Sequence, residues 1–230
     1  LVGPLKLTKI VGVTTGYRWL VPGDESGSRG PTLWTHLASI LNSSAMSFLG
    51  RYRFNRAWGG SMAIRVETAR RGDLTNWLRG ALTDDYQFTR LARSLGLYVH
   101  FVPECFVATP AHFTLGSFIN FAHRQYLITR VYQLGDFFGG LCVTFLYTLG
   151  FASAFVTMIA TLIIDPRDLL WVWAVMAIAF VYVFDNLRSS FRRRGIAGAL
   201  GDDTLARLGA TLTLDRWATP FWMACNFLLM

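Results

Sequence analysis

The chain has 230 residues, of which 53% are hydrophobic, 15% aromatic and only 16% charged, with a mean hydropathy of +0.36. Its formal charge of +8 is almost all arginine, because Lys6 and Lys9 are the only lysines. This balance is unusual for a soluble protein, and with no basic recognition helix or aromatic RNA platform it argues against nucleic acid as a partner.

Residues 1–135 have the mix of a globular domain, and residues 137–230 that of membrane sequence. "KIVGVTTG" (9–16) reads as a buried strand ending at Gly16. "YRWLVPGDESGSRGP" reads as a loop, broken by Gly, Ser and Pro. In "TLWTHLASILNSSAMSFLG", Leu33, Leu37, Ile40 and Leu41 have helical spacing. "RYRFNRAWGGSMAIRVETARRGDL" holds a Gly-Gly turn and then a short strand or helix start. Thr83 is placed to cap a helix whose apolar face is Phe88, Leu91, Ala92 and Leu95, with Gly96 as its stop. "LYVHFV" follows as a strand that ends at Pro103. A helix between two β-type runs predicts an α/β domain with a partly parallel sheet over 1–109.

Residues 110–135 combine Phe113, Leu115, Phe118, Phe121 and Tyr126 with Arg124 and Arg130. An aromatic face beside a basic one fits a helix lying at a membrane interface; an ordinary amphipathic surface helix would look the same. The membrane region spans 136–230. It holds an uncharged span at 137–164, a "DPRD" turn, a second span at 169–184 ended by Asp185, and a truncated third span from about 217. Arg188, Arg192, Arg193 and Arg194 follow the second span, so the positive-inside tendency puts that loop, and with it residues 1–135, in the cytoplasm. Phe113, Phe118 and Phe121 would line the path of a lipid.

Three features carry candidate chemistry. Asp84 and Asp85 sit in a first helical turn, where the macrodipole favours ionised carboxylates; one can cap while the other accepts a proton from an attacking hydroxyl. In "AWGGSMAIR", Gly59 and Gly60 let a ligand approach the backbone, and Trp58 offers a flat face, with Ser61 and Arg65 beside them; a simple turn over a core tryptophan is the plainer alternative. In "HRQYLITRVY", Arg124, Gln125 and Arg130 could clamp a diphosphate or face lipid headgroups. Cys105, Cys142 and Cys225 make no metal spacing and read as buried small hydrophobes, and the four histidines give no metal constellation either.

Taken in order, "TTGYRW", "WGGSMAIR", "TDD" and "RQYLITRVY", then a membrane hairpin, resemble the second half of membrane-bound family-2 glycosyltransferases of the GT-A type. The ceramide glucosyltransferase group and its bacterial relatives are the nearest likeness. The resemblance implies a nucleotide-sugar donor, a lipid acceptor and an inverting displacement, with Asp85 as catalytic base and Thr83 and Asp84 completing its triplet. It sets Trp58, Gly59, Gly60 and Ser61 beside the substrates. It also implies a divalent metal, magnesium or manganese, on the donor diphosphate. The Asp-x-Asp that would hold it is expected upstream of Leu1, so this chain supplies no metal ligand. The family's arginine–tryptophan motif falls on Arg124 with Gln125 in place of the tryptophan, or on Arg130 in a competing register. The sequence begins without methionine and stops inside an apolar run, so it reads as a fragment that is inactive alone. The alternatives are a processive polysaccharide synthase of the same family and a non-catalytic membrane protein.

Overall fold

A computed structural model describes residues 1–23, 30–46, 49–50 and 55–230, and the chain divides into two compact units. The first comprises Leu1–Thr114 with Ala199–Thr204, the second Leu115–Gly198 with Leu205–Met230.

The first unit is built on β1 (Val11–Pro22). It pairs antiparallel with β2 (Met62–Ile64) and parallel with β3 (Tyr98–Ala111), giving the order β2-β1-β3. β1 is buried over most of its length, as expected of a central strand covered on both faces. α1 (Val2–Leu7), α2 (Leu33–Met46) and α5 (Asp84–Ser94) pack on it, while α3 (Val66–Arg71) and α4 (Leu74–Leu78) lead from β2 to α5. Val13, Ala57, Ala92 and Val99 form a core, flanked by Met62, Ile64, Phe88 and Leu97. The expected α/β domain with a partly parallel sheet is therefore present, as a small mixed sheet with helices.

Both strands outrun their expected ends. Gly16 does not stop β1. A Cβ there would lie 2.2 Å from the Cys105 carbonyl oxygen and 2.6 Å from Ser61 Oγ, so the glycine admits two neighbouring segments. The run Tyr17–Pro22, expected as loop, continues the strand. Pro103 does not end β3, because the ladder jumps from Thr15 opposite Phe101 to Tyr17 opposite Phe106. Residues 102–105 fall in that irregularity, where a missing N–H is tolerated.

α2 forms where its spacing placed it, but it turns a different face inward. Leu33 is exposed, whereas Thr35, Ser39, Asn42 and Ser43 are buried with Leu37 and Ile40. Those polar groups stitch α2 to β1. Trp19 Nε1 donates to Ser39 Oγ at 3.1 Å, Ser39 donates to the Leu20 carbonyl at 2.6 Å, and Asn42 Nδ2 donates to the Arg18 carbonyl at 2.9 Å.

The second unit is helical: α6 (Leu115–Tyr132), α7 (Leu134–Ile164), α8 (Leu170–Arg207), α9 (Gly209–Trp217) and α10 (Thr219–Leu229). Two of these helices, α7 and α8, are long and apolar enough to cross a bilayer. Their side chains are largely uncovered: Leu149 is 51% exposed, Val156 64% and Ile164 81%. A soluble unit would bury such surface.

Asp185 was expected to end the second span, yet α8 continues past it, with a break at Gly201 (φ 80°). The carboxylate is buried and held. It accepts from the Tyr147 hydroxyl at 2.7 Å and pairs with Arg188 at 3.5 Å. Phe118, expected on a lipid path, is buried 6.0 Å from the Trp222 ring, and the Tyr126 hydroxyl donates to Asn226. The apolar terminal run is α10, packed on α7 and α6.

Candidate functional site

Asp84 and Asp85 open α5 as the spacing predicted, and Gly96 follows the helix with φ +70°, the left-handed stop expected of it. Thr83 occupies the N-cap position in extended backbone, but its hydroxyl makes no capping bond. Asp84 does that work, its Oδ1 accepting the Asp85 N–H at 3.0 Å.

Opposite this turn runs the segment 55–61, held to three elements. Asn55 Nδ2 donates to the Val99 carbonyl on β3 at 2.8 Å. The Ala57 N–H donates to Thr89 Oγ1 on α5 at 2.9 Å, and the Trp58 N–H donates to Thr15 Oγ1 on β1 at 2.9 Å. A turn then closes between the Trp58 carbonyl and the Ser61 N–H at 3.0 Å, and the Ser61 carbonyl accepts from the Gly16 N–H at 2.7 Å.

This anchoring sets Gly59 against the acidic pair. A Cβ on Gly59 would sit 2.4 Å from Asp85 Oδ1 and 2.9 Å from Asp84 Oδ1, so no larger residue fits without moving the carboxylates. The Gly59 backbone amide lies against the Asp85 carboxylate and favours its ionised form. Gly60 plays a different part, since the Trp58 indole lies where its Cβ would be. Trp58 is half-buried, edge-on to Tyr17 at 5.8 Å, with the Arg18 guanidinium 5.6 Å from its ring.

The two carboxyls differ in environment. Burial, then the hydrogen bond with Asp84, then the Asp84 charge raise Asp85 to about 7. The hydrogen bond from Asp85 holds Asp84 below the usual carboxylate range. Asp85 is thus the carboxyl that holds a proton more readily, and Asp84, at the exposed helix end, the one that favours its ionised form. At neutral pH Asp85 is close to half ionised and can take a proton from a hydroxyl of a bound molecule. Burial likewise pushes the Tyr17 phenol well above its ordinary value.

Trp58, Gly59, Ser61, Asp84 and Asp85 are thus brought together in the first unit. Ser61 contributes its backbone. Arg65 is used elsewhere: its Nε donates to the Leu5 carbonyl at 2.7 Å and its guanidinium also reaches the Thr8 carbonyl, capping α1. Arg124, Gln125 and Arg130 belong to α6 in the second unit. Arg124 and Arg130 are exposed, Gln125 is half-buried, and the Arg130 guanidinium lies 6.0 Å from the Phe137 ring. Thr89 is the site residue that the sequence reading missed; Thr15 and Tyr17 lie in the "TTGYRW" run that it singled out without giving either a role. Thr89 had a visible signal, standing four residues after Asp85 on the helix.

Among the described residues no group of three or more His, Cys, Asp or Glu could hold a metal ion. Asp84 and Asp85 put two carboxyls side by side with the Gly59 backbone against them, fewer groups than such a cluster needs. No family model, curated protein or solved structure matches the chain.

Proposed function

We propose that the protein is a membrane glycosyltransferase that moves a sugar from a nucleotide sugar to a lipid hydroxyl, with Asp85 as the base. The observation that carries this is the Asp85 carboxyl, held against the Gly59 amide and raised to about 7 by burial and by Asp84. A base whose pKa lies near the working pH is the most effective one. The acceptor O–H gives its proton to Asp85 as its oxygen bonds to the anomeric carbon. The bond from that carbon to the diphosphate breaks, and the nucleoside diphosphate leaves with the electron pair. A single displacement at that carbon gives inversion. Trp58, backed by Tyr17 and Arg18, offers a flat wall for the sugar.

The lipid acceptor is supported by the uncovered apolar surfaces of α7 and α8. A cytoplasmic site is supported by Arg193 and Arg194, both exposed beyond the second span. Because Asp85 must be ionised to act, activity rises with pH through about 7 and levels above it.

The test is an assay of membranes carrying the full-length protein, with a panel of nucleotide sugars and membrane lipids, with and without divalent metal. A labelled, solvent-extractable glycolipid is the expected product. A long insoluble polymer would favour a processive synthase, and no transfer to any acceptor would reject the enzyme reading.

A further inference from the structure

Two successive amides of the 55–61 segment end on threonine hydroxyls that are fully buried, Thr15 and Thr89 both being 0% exposed. The two hydroxyls differ in what they do next. Thr15 donates to the carbonyl of Gly16 at 2.8 Å, within its own strand, and reaches the Ser61 carbonyl at 3.4 Å. Thr89 donates to the backbone carbonyl of Asp85 at 3.0 Å. A circuit results: the Asp85 carboxylate, the Gly59 backbone against it, the chain back to the Ala57 amide, Thr89 Oγ1 and the Asp85 carbonyl.

We infer that Thr89 is a positioning residue that holds the Gly59 amide on the Asp85 carboxylate. It touches no substrate; it sets the separation between the base and the amide that faces it. The hydroxyl suits this place because it accepts one hydrogen bond and donates another. Valine, its near isostere, would do neither and would leave the Ala57 N–H buried without an acceptor.

The Gly59 contact favours the ionised carboxylate. Loosening it therefore moves the Asp85 titration upward. The other groups that face this carboxyl are Asp84 from its own turn and Tyr17 from β1, with Arg18 and Tyr86 acting on Tyr17. None of them is altered by a change at Thr89.

The inference rests on the reading of Asp85 as base, but one arm of its test does not need activity. The Asp85 carboxyl band is followed by infrared titration of the full-length protein in membranes and assigned by difference against Asp85→Asn. Thr89→Val should raise the titration by roughly half a unit to one unit, while Thr89→Ser keeps the native value. The pH–rate limb should move with it, lowering activity at pH 7 about two- to fivefold through the ionised fraction. An unchanged titration in Thr89→Val would overturn the inference. If that variant is not recovered in membranes, Thr89→Cys, whose thiol bonds weakly, is compared with Thr89→Ser: an upward shift supports the assignment and equal titrations overturn it. A native protein that transfers no sugar refutes the base reading, and the infrared arm still decides Thr89.

Discussion

Buried polar side chains do different jobs in the two units. In the first, Thr15, Ser39, Asn42, Asn55 and Thr89 each bond to the backbone of another segment. In the second, they bond mainly to one another. Tyr147 holds Asp185; Arg188 reaches Asp185 at 3.5 Å, Asp215 at 3.3 Å and Thr219 at 2.8 Å; Arg192 meets Asp215 at 2.6 Å. The difference follows from the backbone. A helix satisfies its own N–H and C=O groups, so its polar side chains are left to pair together. A small sheet with an irregular loop leaves amides such as those of Ala57 and Trp58 buried, and side chains must satisfy them. The first unit can therefore hold a loop at a fixed place beside two carboxylates.

The comparison can be broken most severely in the second unit. Asp215 and Arg192 are 3% and 7% exposed, and Asp215→Ala removes the carboxylate that Arg192 meets at 2.6 Å and leaves Arg188 with Asp185 alone. A loss of about 3–5 kcal/mol is expected, read by denaturation in detergent; a loss under 1 kcal/mol would mean the cluster is solvated. Leu149→Arg on the open face of α7 should cost about 3 kcal/mol of bilayer insertion, measured by a glycosylation-mapped insertion assay. Unchanged insertion would show that α7 does not span. In the first unit, Gly59→Ala should lower sugar transfer about a hundredfold, roughly 2.7 kcal/mol of barrier, because its methyl would fall 2.4 Å from Asp85 Oδ1. Native turnover in that variant would separate Gly59 from the chemistry. Ser39→Ala is the mildest change. It strips the acceptor from Trp19 Nε1 and the donor from the Leu20 carbonyl, for about 1–3 kcal/mol of stability. A neutral result would mean that water replaces both bonds.

Periodicity made α5, its Gly96 stop and the two long apolar helices legible, because each is a local pattern repeated over several turns. It misread α2, where the inward face is polar because β1 offers carbonyls there. It also stopped both strands early, at a glycine and a proline whose meaning depends on what lies alongside. Asp185 looked like a span end because its partner Tyr147, 38 residues earlier on α7, is invisible in linear order; Arg188, three residues on, was read only as part of a basic loop. In the site, Asp84, Asp85 and Gly59 could be named from the sequence. Their meeting could not, since it depends on hydroxyls at 15 and 89 that hold a loop at 57 and 58.

The central claim is that Asp85 takes the acceptor's proton, and replacing that one carboxylate tests it most directly. Sugar transfer to lipid is measured in membranes carrying full-length native protein or Asp85→Asn, matched for the amount inserted. The account predicts a fall of about 10²–10⁴-fold, with unchanged insertion and with the rate limb near pH 7 absent from the residual activity. Turnover within a few fold of native, still rising through pH 7, would contradict it.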